Sequence, residues 1–236
     1  MRDQYAGDIS DYLKFAFLRA VAGGYEKLGM AWYYLPGHDG RPDGQHREYL
    51  EQPVWAALDD PLHLALQNLP QRTVASLESL KIWPKATSFH RAPVGAPTRP
   101  EWVESMVADL DESDLIFLDP DNGLGQHRNK HAHVADLMAL QRPRRAMAII
   151  KFPGRHMSHA MQISSLHQQL FDAGFREPIT LSTCVSIVGQ NGRTVPRHRF
   201  FTLVDGTNQA RQRVSAFAAR LNSLPPAARV SAHCVI

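Results

Sequence analysis

The sequence predicts an α/β fold, a mostly parallel sheet with an antiparallel terminal strand, and three observations carry that expectation. Apolar runs of strand length alternate with amphipathic stretches along most of the 236 residues. Two of those runs, residues 114–119 and 146–150, are almost continuously apolar, as strands covered on both faces are. The last two strand-like runs follow one another around Gln190-Asn191-Gly192 with no helix between them, the pattern of a hairpin.

The first element is a helix. Leu13, Ala16, Phe17, Ala20 and Val21 fall on one face, Asp8 or Ser10 can cap it, and Gly23-Gly24 stops it. Residues 30–35 form a short aromatic-rich strand ended by Pro36-Gly37, and residues 36–45, with three Gly and two Pro, form a loop. Asp60-Pro61 opens a helix over Leu62, Leu64, Leu66 and Leu69. Residues 72–77 and 87–91 read as short strands, and Thr98-Arg99-Pro100-Glu101 starts a helix through Trp102, Met106 and Leu110. The strand 114–119 stops at Pro120. After a glycine-containing loop come a helix over 131–140 and the strand 146–150. Ile163, Leu166, Leu170 and Phe171 give 158–171 a helical face, strands follow at 179–188 and 199–204, and a last helix covers 208–221. The expectation is one domain over residues 1–224 with 225–236, opened by Pro225-Pro226, as a tail.

Hydrophobic residues make up 44% of the chain, enough to bury a core without disulfides or metal. Only Cys184 and Cys234 are present, so neither a disulfide framework nor a cysteine zinc site is available. No apolar run approaches the ~18 residues of a membrane span, and MRDQYAGD lacks the layout of a secretory signal. A soluble, cytoplasmic chain without a membrane partner is expected. The net charge of +3 conceals a split: residues 1–141 carry 13 Lys/Arg against 20 Asp/Glu, a balance of −7, and residues 142–236 carry 13 against 3, a balance of +10. All but Lys151 of the latter cations are arginine, whose planar fork suits oxyanions. A solvated basic face explains the same numbers equally well.

Ligands of open α/β sheets sit beyond the carboxyl ends of the strands, which directs attention to PGHDG, DPDNGLG and KFPGRH. Asp119-Pro120-Asp121-Asn122 presents rigid acceptors there, since Pro120 holds its neighbour extended. Such acceptors can hold an exocyclic amine, Asp119 and Asp121 can bind a hard metal ion, or the segment can be a turn. Lys151, Arg155 and His156 follow the next buried strand and could meet an anion. Asp11 and Lys14 have the spacing of a helix ion pair. Arg193, Arg197 and Arg199 flank the hairpin, where they could track a phosphate backbone.

DLIFLDPDNGL resembles the motif segment of amino-directed class I methyltransferases, usually Asp/Asn-Pro-Pro-Tyr/Phe. YAGDISDYLKFAFLRAV is similar to the opening of the bacterial family that methylates an adenine amino group of large-subunit ribosomal RNA, His-Ala-Gly-Asn-x-x-Asp-x-Leu-Lys. Ala6, Gly7, Asp8, Asp11, Leu13 and Lys14 match its spacing, with Asp8 in place of Asn. YYLPGHDG resembles that family's Tyr-Leu-Asp-Thr-His-Ala-Gly segment and places His38 on its cofactor-contacting histidine. Arg47-Glu48-Tyr49-Leu50 resembles its Glu-Tyr-Leu, and Phe152-Pro153 its Tyr-Pro.

The resemblance implies a Rossmann-like class I methyltransferase fold binding S-adenosylmethionine through Lys14, Gly37, His38, Asp119 and, on the ribose, Glu78. It implies catalysis by Asp119, Pro120, Asp121 and Asn122. The nucleic-acid substrate, RNA before DNA, would be met by Tyr5, Asp8, Asp11, Lys151, Phe152 and Arg155. Three departures stand out: Asp121-Asn122 replaces Pro-Tyr, Pro36-Gly37 replaces Asp-Thr, and no Gly-x-Gly-x-Gly loop is present. The alternatives are a metal-dependent nuclease or phosphohydrolase using Asp119 and Asp121, and a catalytically silent binding module of the same fold. The twelve histidines include His127, His131, His133, His156 and His159, but no carboxylate or cysteine completes a tetrahedral spacing, so no metal is expected.

Overall fold

The computed structural model describes residues 1–38, 40, 44, 46–84, 86–95, 97–126, 130–188 and 193–236. His127 and Gln190-Asn191-Gly192, named above, lie outside the described residues, as does part of the 36–45 loop.

Seven strands form one sheet in the order β2-β1-β3-β4-β6-β5-β7: β1 (Lys27–Trp32), β2 (Ala86–His90), β3 (Leu115–Asp119), β4 (Ala146–Lys151), β5 (Ile179–Val188), β6 (Thr194–Val204) and β7 (Val230–Val235). The first four are parallel. β6 is antiparallel to both β4 and β5, so β5 runs with the parallel set, and β7 is antiparallel to β5. This is the Rossmann-like, mostly parallel α/β sheet expected from the sequence, with two reversed strands rather than one.

Side-chain alternation along the central strands explains the layering. Leu28, Met30 and Trp32 of β1 and Leu115 and Phe117 of β3 face one core, with α1 (Ile9–Ala22), α2 (Asp60–Gln67), α3 (Val74–Glu78) and α7 (Asn208–Asn222). Ala31, Ile116, Leu118, Met147 and Ile149 face the other, under α4 (Arg99–Asp109), α5 (Val134–Leu140) and α6 (His159–Asp172). Both faces are therefore dry, which is why β3 and β4 read as continuous apolar runs. Asp8, Thr98, Ser158 and Thr207 cap α1, α4, α6 and α7 through their side chains. No described helix is long and apolar enough to cross a membrane.

Four expectations change. Residues 72–77 are not a strand: Thr73 accepts from Ser76 N and starts the five-residue helix α3. β1 begins at Lys27 and ends at Trp32, earlier than 30–35, because Tyr34 leaves the ladder for an isolated bridge to Pro93. β6 begins at Thr194 rather than at 199 and tolerates Pro196 because residues beyond Phe200 toward its start pair with β5 alone. Residues 225–236, set apart as a tail, carry β7, whose edge is fastened by Asn222: its side chain bonds both Ala232 O (2.7 Å) and Ala232 N (2.8 Å).

Candidate active site

β1 and β3 end side by side, Trp32 opposite Asp119. β6 runs the other way, so its first residues emerge at this same end of the sheet, beside the end of β4 where Lys151 pairs with Phe200. The N-terminus of α1 arrives there too. Between these pieces lies a cleft of about 870 Å³, lined by Tyr5, Asp8, Ser10, Asp11, Lys14, Asp119–Asn122, Phe152–Arg155, Ser158, His159 and residues 195–199.

The floor is acidic. Asp119 is 3% exposed, and its Oδ2 accepts from Lys14 Nζ at 2.8 Å. Lys14 also donates to Asp11 Oδ1 at 2.7 Å, while Asp11 Oδ2 accepts from Gly7 N at 2.9 Å. Burial pushes the Asp11 carboxyl up to about 6; Lys14 opposes the shift, and Asp8 and Asp119 add to it. Burial also works against the Lys14 charge, yet Asp11 and Asp119 together hold its pKa above the usual lysine value. The expected Asp11–Lys14 helix pair is thus one arm of a buried bridge that fixes Asp119. Asp8 is occupied as the α1 cap, accepting from Ser10 N and Asp11 N.

The turn after Asp119 is tied down on both sides. Asn122 N donates to Lys130 O, and Ala132 N donates to Gly123 O. Gly123 has φ +94°, and a Cβ on it would meet Lys151 Cβ at 2.6 Å and Cα at 2.7 Å, so the turn rests on the end of β4. Asp121 pairs with the Met1 amine at 2.9 Å, and that amine also donates to Tyr33 O at 2.6 Å. Arg2 donates to Pro36 O and Gly37 O. Residues 1 and 2 therefore bridge the end of β1 to the Asp121 turn.

The adjoining wall is basic. Arg155 and Arg197 are exposed, Arg199 is buried, and the rings of His159 and His198 lie 4.3 Å apart. The acidic floor comes from the −7 half of the chain, and these five residues all come from the +10 half.

Of the residues singled out from sequence, Asp119, Pro120, Asp121, Asn122, Lys14, Tyr5, Asp8, Asp11, Phe152 and Arg155 line this cleft. Lys151 is not among the lining residues: it ends β4 packed against Gly123, and burial lowers the pKa of its ammonium. Gly37, His38 and Glu78 are not among the lining residues. Gly37 is exposed with a positive φ, and His38 Nδ1 accepts from Gly40 N. Glu78 does not follow a strand: it ends α3 and pairs with Arg91 at 3.2 Å, and burial raises its pKa against that pairing. Ser10 and His198 were missed. Among the described residues, no three His, Cys, Asp or Glu side chains converge as a metal site would require.

No family model and no curated protein matches the chain. Its fold is similar to that of protein LPL1258 of Legionella pneumophila, described under the family model DUF519, at a TM-score of 0.54 and 11% identity over 98% of this chain and 97% of that one. Weaker likenesses are a precorrin-6y C5,15-methyltransferase of Geobacter metallireducens (TM-score 0.35, 11% identity, 79% and 86% covered) and a SAM-dependent methyltransferase of Agrobacterium tumefaciens (0.38, 10%, 83% and 61%).

Proposed function

We propose that this chain transfers a methyl group from S-adenosylmethionine to an amino group of a nucleic-acid base, adenine in RNA before any other. One observation carries the reading: a single cleft joins a fixed, buried carboxylate at the end of β3 to a wall of arginine and histidine. The first suits an amine and the second a polyanion.

The cleft volume lies within the range of small-molecule sites, roughly 300–1,000 Å³. Its carboxylates also match a donor bearing a sulfonium and an ammonium. Asp8 and Asp121 are the residues that would face those cations, and Gly37, His38 and Glu78 are not among the lining residues. When bound, the donor supplies an electrophilic methyl carbon. Asp119 would accept an N–H of the base amine, directing the nitrogen lone pair into the cleft. Lys14 holds Oδ2 of that carboxylate, so the carboxylate is oriented before the amine arrives. In the transfer the amine nitrogen would bond the methyl carbon as the carbon–sulfur bond breaks and the sulfonium leaves as a neutral thioether, and the proton shed by the amine would pass to Asp119 or to water. Phe152, an exposed ring on the cleft, replaces as a stacking surface the aromatic that the motif loses at Asn122.

The metal-dependent alternative fits less well. Asp119 and Asp121 are engaged by different cations, Lys14 and the Met1 amine, rather than aimed at a common point. Calorimetry with S-adenosylmethionine followed by transfer to an RNA pool tests the proposal. Asp119→Ala is expected to lower transfer by at least about 10³-fold while donor affinity stays within a few-fold. Unchanged transfer in that variant, or no donor binding at millimolar concentration, refutes it. Donor binding without transfer to any RNA or DNA would instead identify a silent module.

A further inference from the structure

We propose that the basic wall of the cleft is a phosphate subsite, centred on Arg199 and completed by Arg155, Arg197, His159 and His198, that receives a backbone phosphodiester of a nucleic-acid strand. It rests on the reading above only in taking the ligand to be a nucleic acid.

Arg199 is the reason. It is 3% exposed and yet lines the cleft. Its Nε donates to Ser10 Oγ at 2.8 Å and its Nη1 to Arg197 O at 3.2 Å, both uncharged acceptors. Among the described residues no carboxylate stands within ion-pair distance of it, and Nη2 donates to none of them. Burial pulls the Arg199 pKa down to about 10, with the charge on Asp8 opposing and that on Arg197 adding. A buried cation with no carboxylate in direct contact is costly, and such a charge is normally paired. Here its orientation is fixed by two hydrogen bonds while a donor nitrogen remains for a ligand, which suits an anion entering from the cleft.

The surroundings select the same chemistry. Guanidinium forks match phosphate oxygens in geometry as well as charge. His159 opens α6, a 14-residue helix whose Ser158 cap also lines the cleft, so the positive end of that helix adds to the wall. His198 reaches His159 from β6, and both rings can donate to oxygen. All four acidic residues lining the cleft, Asp8, Asp11, Asp119 and Asp121, belong to its floor.

Fluorescence anisotropy with a labelled single-stranded oligoribonucleotide, and with an abasic strand of equal length, measures the subsite. Inorganic phosphate and adenosine monophosphate serve as competitors. The wild type is expected to bind both strands, more weakly as salt rises. Arg199→Gln is expected to lose at least tenfold in affinity and about one unit of the logarithmic salt slope, with calorimetric donor affinity retained. Should Arg199→Gln fail to fold, Arg155→Ala combined with Arg197→Ala, both exposed, is expected to lose at least tenfold in affinity and about two units of the slope. A folded variant with wild-type strand affinity overturns the subsite, as does a wild type that binds neither strand. Competition by free phosphate or the mononucleotide as effective as that of the strand overturns the phosphodiester assignment. A variant that loses the donor and keeps the strand overturns it too, because the oxyanion held would then be the donor's carboxylate. Strand binding through Arg199 by a protein that binds no donor leaves the subsite standing and removes the methyltransferase reading.

Discussion

Replacing Lys14 with methionine keeps the side chain's length and apolar stem and deletes the ammonium that joins Asp11 to Asp119. All three groups are buried: the side chains of Lys14, Asp11 and Asp119 are 3%, 2% and 5% exposed. Removing one partner of a buried ion pair costs about 3–5 kcal/mol because the other charge is left without compensation. In a domain of this size each kcal/mol moves Tm by roughly 2–4 °C. Lys14→Met is therefore expected to melt about 6–20 °C below wild type near neutral pH. The pH dependence follows from Asp11, already pushed up to about 6 against the pull of Lys14. Without that pull its folded pKa rises further. A carboxyl whose folded pKa exceeds its unfolded value contributes stability below the unfolded value and loses it as pH rises through the folded one. The deficit of the variant is thus greatest above its own raised Asp11 pKa, shrinks as pH falls from there toward 6, and levels off below 6, where the wild-type carboxyl is protonated too. Scanning calorimetry of both proteins between about pH 5 and pH 8 reads this directly. A Tm difference below about 2 °C at the alkaline end, or one that grows on acidification, would refute the buried bridge.

Two further substitutions probe the supports of the site. Gly123→Ala forces a Cβ into the Lys151 backbone at a residue with φ +94°, so a stability loss of about 2 kcal/mol or more in urea is expected together with impaired transfer; a loss below about 0.5 kcal/mol would mean the turn does not rest on β4. Asn222→Ala removes both side-chain bonds to Ala232 and is expected to cost about 1–3 kcal/mol. Hydrogen exchange should then quicken in β7 while β3 stays protected, and uniform quickening would contradict a locally fastened edge.

The strands that carry the site were legible because burial on both faces writes itself into composition: LIFLD and AMAII admit few other readings. Residues 72–77 were misread because a five-residue helix shows no full 3.6-residue repeat, and the decisive signal was Thr73 as a cap. Placing Asp119 at a strand end pointed to the cleft that it lines. Its partnership with Lys14 was not legible, since 105 residues separate them and only the docking of α1 brings them together. Arg199 did leave a trace, an arginine at the head of the apolar run FFTLV, where a solvated residue would be unremarkable and a buried one requires a reason. Gly37 and His38 follow β1 as expected but do not line the cleft, and residues 1 and 2, which bridge that end, left no sign in the sequence.

The bond between Ser10 and Arg199 spans 189 positions of the chain. Floor and wall of the cleft are therefore contributed by segments far apart in sequence, and no fragment that ends before Arg199 can present both. Occupancy of the cleft becomes a report on the docking of β6 against α1. A ligand held there at a hundred times its Kd would stabilise every element between the two segments at once, by about 2.7 kcal/mol, which turns the site into a clasp for the fold as well as its working surface.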